Sequence, residues 1–203
     1  MSPPPDWHRA HGAPWKRGPG RRTYDNPWIT VTEFDATAPT GRPSLYGLVE
    51  FKNHALAVLP IHEDGTVELV GQNRLPFGDY SWEIPEGGAP LNEHPLEGAK
   101  RELLEETGLV AAGWLEILRV QLSNSVTNEL AIGYLALGLT QSVAQDIDPT
   151  EDIARARAPF REVLDLVLCG KITDALTVAM MLRAYHMAKE DGLPRGLARN
   201  MLE

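Results

Sequence analysis

GGAPLNEHPLEGAKRELLEETGL, residues 87–109, places three glutamates, Glu102, Glu105 and Glu106, within five positions of a predicted helix. At 100° per residue the three fall within about a 100° arc of the helix surface. Like charges at that spacing repel by roughly a few tenths of a kcal/mol per pair. Leu96, Ala99 and Leu103 form a neighbouring apolar stripe that can face a core. Arg101 stands four residues before Glu105, close enough to pair with it and fix its rotamer. The other carboxylates have no nearby cation in sequence. Hard oxygen ligands without a counter-charge suit Mg²⁺ or Mn²⁺, ions that favour phosphate substrates. Gly108 stands at the C-cap position and stops the helix.

The wider chain narrows the possibilities. Its 203 residues suit one domain with an elaboration, or one full domain plus a small one, and 43% hydrophobic content is ample for a packed core. A net charge of −9 argues against nucleic-acid or membrane partners, which require a basic face. An anionic small molecule is compatible with that charge if arginines or divalent cations meet it locally. The single cysteine, Cys169, excludes a disulfide framework and a cysteine-rich zinc site. Its apolar surroundings, LVLCG, predict a small buried side chain. The first 22 residues contain no apolar segment of signal-peptide type. No apolar run approaches the roughly 18 residues needed to cross a bilayer, so a cytoplasmic protein is expected. The six histidines are scattered, without metal-pair spacing.

Residues 1–22, rich in Pro, Gly and Arg, read as a flexible arm. Branched and aromatic residues then predict strands at 28–34 and 45–51, joined by the turn-forming TAPTGRP of 37–43. Further strands are expected at 55–61 and 67–74, connected by HEDG as a hairpin, and at 80–85. After the glutamate helix come strands at 113–122 and 129–139 and amphipathic helices at 159–170 and 173–190. Asp174 marks the start of the second of these helices, and Gly192 lies beyond its end. Strands on both sides of a central helix, with helices at the end, predict an α/β fold whose mixed sheet is covered by helices.

Counting back from Arg101, Glu93 lies eight positions earlier and Gly87 six before that. Residues 87–109 therefore satisfy G-x5-E-x7-R-E-U-x-E-E-x-G-U, with U aliphatic, at every fixed position. The stretch resembles the Nudix box. The resemblance implies an α/β/α sandwich in which the box forms a loop, a helix and a second loop. It also implies hydrolysis of a nucleoside diphosphate linked to another group. Glu102 and Glu106 match the principal metal-ligand positions, with Glu105 sharing that work. Arg101 orients a glutamate, Glu93 supports the helix, and backbone carbonyls at Glu86–Gly87 complete the metal shell. Gly87 and Gly108 permit tight loops around the helix.

VGQNRLP and SWEIPEGG are similar to the strands that lead into the box in ADP-ribose and nucleotide-sugar pyrophosphatases. About 50 residues precede them, as in that subfamily's N-terminal β extension, which pairs between two subunits. The resemblance thus implies a β extension at 23–54 that dimerises and contacts substrate, a Nudix domain at 55–203, and a homodimer. Arg74 becomes a pyrophosphate contact, because its forked guanidinium matches phosphate oxygens. Trp28 is placed to present an aromatic face to a nucleobase, although a core position suits it equally. Glu83 shapes the site or forms a structural ion pair. LSNSVTNE, 122–129, stands where ADP-ribose enzymes carry SPGxSxE. There Glu129 matches a ribose-contacting or metal-proximal glutamate, with Ser125 beside it. The proline of that pattern is missing, which keeps nucleotide sugars such as GDP-mannose among the substrates. Glu151, in the acidic loop DIDPTED, matches a metal-binding or general-base glutamate.

The expected reaction is Mg²⁺- or Mn²⁺-dependent hydrolysis of a pyrophosphate bond. A water activated with the help of Glu151 or Glu129 attacks phosphorus and gives a nucleoside monophosphate and a sugar phosphate. Other readings are a dinucleoside polyphosphate or coenzyme A hydrolase, or a non-catalytic sensor. The sensor reading sits poorly with a complete set of box glutamates.

Overall fold

The computed structural model describes residues 5–142 and 152–203, which separate into two compact units. The N-terminal unit comprises residues up to 52 together with 123–128. Its three strands, β1 (Lys16–Asp25), β2 (Ile29–Thr37) and β3 (Pro43–Phe51), form an antiparallel meander. The first turn is tied by Asn26, whose side-chain oxygen accepts from the backbone N–H of Trp28 at 2.9 Å and of Ile29 at 2.7 Å. Residues 16–22, expected to be part of an arm, begin β1. KRGPGRR carries little hydrophobic signal because all ten residues of β1 are exposed. The loop 123–128 also joins this unit: Val49 donates to Val126 O at 2.8 Å, and Phe51 N donates to Asn128 Oδ1 at 2.7 Å.

The larger unit, 53–122 with 129–203, contains two sheets and four helices among the described residues. One sheet consists of β4 (Asn53–Pro60), β7 (Glu86–Pro90), β8 (Leu109–Gln121) and β9 (Leu130–Gln141) in the order β7-β4-β9-β8. The β4–β9 pair is parallel and the others are antiparallel, so the sheet is mixed. The second sheet consists of β5 (Thr66–Arg74), β6 (Asp79–Glu83) and β10 (Ala154–Pro159) in the order β10-β5-β6. The HEDG segment does close a tight turn, with Gly65 N donating to His62 O and His62 N to Thr66 O at 2.9 Å each, but only Ile61 and Val67 pair across it. Both edges of β4 are taken by β7 and β9, so β5 keeps only the single bridge Ile61–Val67 and pairs elsewhere.

Alternation along the central strands builds the layers. Leu56 and Val58 of β4, with Ile132, Tyr134 and Ala136 of β9, pack with Ala99 and Leu103 of α1 (Pro95–Thr107). Ala57 and Leu59 point the other way, with Ala131 and Leu135, into the core shared with α2 (Phe160–Leu168), α3 (Ala175–Lys189) and α4 (Arg195–Leu202). The central sheet is thus covered on both faces in an α/β/α sandwich. In α2 the helical spacing is visible directly, since Phe160, Val163, Leu164 and Val167 are the buried residues. Cys169, expected to be buried, is exposed, because it caps the C-terminus of α2 rather than continuing its apolar face. No helix among the described residues is long and apolar enough to cross a membrane.

Leu103 is fully buried between α1 and the sheet. Leu103→Ala is expected to lower the unfolding free energy by about 2–5 kcal/mol, measured from the urea midpoint. A loss within about 0.5 kcal/mol, the scale of surface substitutions, would contradict this packing.

Candidate functional site

Helix α1 is set by its ends. His94 precedes it, with its Nδ1 accepting from Leu96 N at 3.3 Å, and Pro95 opens the first turn. At the far end Gly108 adopts φ +69° and donates its N–H to Leu104 O at 2.8 Å. A side chain at this left-handed position would be strained. The glutamate-bearing face lies against β7. Glu106, only 4% exposed, accepts from Glu86 N at 2.9 Å. Glu102 Oε1 accepts from Gly88 N at 3.3 Å. Both carboxylates therefore converge on the three residues 86–88.

Gly87 sits between these two contacts. A Cβ built there would lie 2.1 Å from the Glu102 carboxyl carbon. The box was expected to place this residue in a loop, but it belongs to β7 and keeps an ordinary backbone. Close approach of the carboxylate excludes a side chain at this position. Arg101 clasps the arrangement. Its guanidinium donates to Glu102 at 2.8 Å, Glu105 at 3.3 Å and Gly88 O at 3.0 Å, and lies 3.8 Å from Glu93. Arg101 thus serves Glu102 as well as Glu105. Burial opposes its charge, but Glu102, Glu105 and Glu93 outweigh burial and raise its pKa. Burial raises the pKa of Glu102, with Glu105 adding to the rise and Arg101 opposing it.

The donor chemistry fits a hard divalent cation. Two carboxylates of one helix are fixed to a single stretch of backbone, and a third, Glu105, is held by the same arginine. Among the described residues no three His, Cys, Asp or Glu side chains are grouped so as to hold a metal ion. Mg²⁺ does not need such a group, since it retains waters and is usually bound through one or two carboxylates plus substrate phosphate.

A second polar group lies in the same unit. Arg74, at the end of β5, donates Nε to both oxygens of Glu83 at 3.1 Å and Nη2 to Glu83 Oε2. Glu83 is 3% exposed, whereas the Arg74 side chain keeps 37% of its surface. The bond to Glu83 raises the Arg74 pKa. These residues line a cavity of about 660 Å³ with Phe77, Tyr80, Glu86 and Asp174. That volume lies within the roughly 300–1,000 Å³ of small-molecule sites. Burial, and then Asp174 beside it, pushes the Glu86 carboxyl well above the usual range. Thr177, fully buried, accepts from Ile84 N at 3.0 Å and lies 3.5 Å from Glu86 Oε1. Glu86 thus joins both groups, with its N–H bound by Glu106 and its side chain on the cavity.

Of the other expected site residues, Glu129 lies immediately before β9, half-buried, and burial raises its pKa. Trp28 and Ser125 belong to the N-terminal unit. Trp28 is 65% exposed, so it is not a core residue. Ser125 accepts from the Tyr46 hydroxyl through its carbonyl. Glu151 lies outside the described residues. The sequence offered no role for Gly88, whose N–H and carbonyl are both used, nor for Asp174 and Thr177 beside Glu86. The only signal was the helix-capping pattern of TDAL, which serves both capping and cavity.

Comparison with known proteins identifies the family and the fold. Residues 52–173 match the NUDIX domain model. The chain is 29% identical over 145 residues to an ADP-ribose pyrophosphatase of Mycobacterium tuberculosis, covering 70% of each chain. It is 30% identical over 144 residues to an ADP-ribose pyrophosphatase of Bacillus subtilis, covering 70% of this chain and 77% of that one. The fold superposes on the crystal structure of an ADP compounds hydrolase with a TM-score of 0.80 at 19% identity, over 91% of this chain and 99% of that one. With the box intact, its helix seated on β7 and the family model spanning more than half of its length, the chain belongs to the Nudix family of hydrolases.

Proposed function

We propose that the protein hydrolyses the pyrophosphate bond of ADP-ribose or a closely related nucleoside diphosphate sugar, using Mg²⁺ or Mn²⁺. The observation that carries this reading is Glu86, which connects the carboxylates of α1 to the cavity lined by Arg74. The two ADP-ribose pyrophosphatases at about 30% identity support the substrate class.

Glu102, Glu106 and Glu105 would hold the cation, with backbone carbonyls at Glu86 and Gly87 as further oxygen donors. When bound, such an ion neutralises diphosphate oxygens and lowers the pKa of a water. Arg101 keeps Glu102 and Glu105 oriented and moderates their repulsion. Arg74 offers a permanently charged, forked donor to a phosphate oxygen, and Glu83 fixes the direction of that fork. A water attacks one phosphorus as a carboxylate accepts its proton. The bridging P–O bond breaks, leaving a nucleoside monophosphate and a sugar phosphate. Glu129 and Glu151 are the two proposed proton acceptors. Glu129 suits the task because burial moves its pKa towards the working pH. Residues 23–54 act as a dimerisation and substrate-contacting extension in this reading. The fully exposed β1 is the strand that a second copy of the chain would cover.

Glu106→Gln is expected to lower kcat for ADP-ribose by about 10²–10³-fold while leaving the far-ultraviolet circular dichroism unchanged. Turnover near that of the wild type with Mg²⁺ would defeat the metal assignment.

If Glu129 is the base, it acts when deprotonated, so activity falls as pH drops through its pKa. Because that pKa is raised, the acid limb of kcat should lie above the ordinary glutamate value of 4.5. Glu129→Gln should lower kcat by about 10²–10⁴-fold and abolish that limb. A retained limb would move the role to another group.

Light scattering should give a mass twice the 22.4 kDa of one chain; a mass of 22.4 kDa would reject the dimer.

A further inference from the structure

The last turn of α1, LEET, carries Glu105 and Glu106 and contains no basic residue. A helix presents the negative end of its dipole there, so these carboxylates stand where a cation is favoured and an anion is not. The cation comes from another strand. Arg155 of β10 donates Nη1 to Thr107 O at 2.9 Å, on the residue directly after Glu106. We propose, building on metal-dependent hydrolysis as the function, that Arg155 is a positioning residue: it holds the C-terminal end of α1 so that Glu106 and Glu102 keep their places on β7.

The strand that carries Arg155 is itself firmly held. β10 pairs with β5 along its whole length, with Arg155 opposite Val70 and Arg157 opposite Glu68. Ala156 and Ala158 pack on the core, so alternation sends both arginines out of the other face. There they part. Arg157 donates to Thr66 Oγ1 at 2.6 Å and to Asp64 Oδ2 at 2.7 Å, whereas Arg155 reaches the helix. The next carbonyl, Gly108 O, accepts from Gln141 Nε2 and Ser142 N at 2.9 Å each. Two consecutive carbonyls of the kind that a helix end leaves open are thus tied to β10 and to the end of β9.

These bonds supply what packing does not. Leu103 and Ala99 set the depth of α1, but apolar contact is non-directional and constrains sliding and rotation less well. The carboxylate contacts have little slack. Glu102 accepts from Gly88 N at 3.3 Å, and a Cβ at Gly87 would already lie 2.1 Å from the Glu102 carboxyl carbon. A slip of about 0.5 Å, a third of the rise per residue, would break or crowd them. Charge adds to direction. Arg101 meets Glu105 from one turn earlier, and Arg155, whose guanidinium keeps its charge, acts just after Glu106.

The test compares the full chain with Arg155→Gln, Arg155→Lys and Arg157→Gln. In metal-free protein, amide hydrogen exchange at Glu86 and Gly88 reports the bonds to Glu106 and Glu102, and Arg155→Gln should speed it at both. Mn²⁺ titration followed by electron paramagnetic resonance should show a Kd about tenfold weaker, the lower end of what loss of a group supporting a metal ligand does. With saturating Mg²⁺, kcat for ADP-ribose should fall by a similar factor while KM stays within about twofold. Arg155→Lys, which keeps a charged donor, should recover most of each loss. Arg157→Gln, on the same face of the same strand, should leave all of them unchanged. An unchanged Mn²⁺ Kd in Arg155→Gln, with or without a lower urea midpoint, overturns the proposal, as do equal losses in Arg155→Gln and Arg157→Gln. Failure of the wild type to turn over ADP-ribose would refute the reaction, and the exchange and Mn²⁺ measurements would still decide the role of Arg155.

Discussion

The attachment of two α1 carboxylates to the backbone of β7 is the constraint on which the catalytic unit depends. Glu106 takes the N–H of Glu86 and Glu102 takes that of Gly88, while Arg101 returns a bond to Gly88 O. A helix face that would be repulsive in isolation thereby becomes part of a closed polar network. Beneath it, Leu103 and Ala99 fix the depth of the helix on the sheet, so the carboxylates inherit their positions from apolar packing. Gly87 makes the closest approach feasible, and Gly108 ends the helix where the chain must enter β8.

A second network fixes the cavity beside this seam. Glu83 is buried and depends on Arg74, so removing the arginine would leave an uncompensated carboxylate, a change that costs about 3–5 kcal/mol for fully buried pairs and less here because Arg74 retains solvent contact. Thr177 holds Ile84 N and approaches Glu86, tying α3 to the strand that receives α1. The proposed binding chemistry and stability therefore share residues. Variants of Arg74 need folding controls before a change in KM is read as lost substrate contact.

Much of the catalytic unit was legible in the sequence because its signals are local. The fixed spacing from Gly87 to Leu109 defined the helix, its glutamate-bearing side and its glycine stop. The apolar runs defined β4, β5 and β9. Pairing was less legible, because it depends on competition for strand edges. HEDG has the chemistry of a hairpin turn, but β7 and β9 occupy both sides of β4. Three strands gave little signal. β1 is exposed throughout, β7 is EGGAP with two glycines, and β10 alternates alanine with arginine. The site was divided in the same way. Box residues were readable from spacing, whereas Asp174, Thr177 and the Gly88 backbone reach Glu86 and α1 only through tertiary folding.

The account stands on a divalent cation at the carboxylate seam of α1 and β7. Anomalous diffraction from crystals soaked in Mn²⁺ tests this directly. A peak about 2.0–2.2 Å from carboxylate oxygens of Glu102 and Glu106, close to the distances of small hard cations, is the predicted result. Mn²⁺ density elsewhere on the chain, with those carboxylates still bound only to backbone and Arg101, would contradict it.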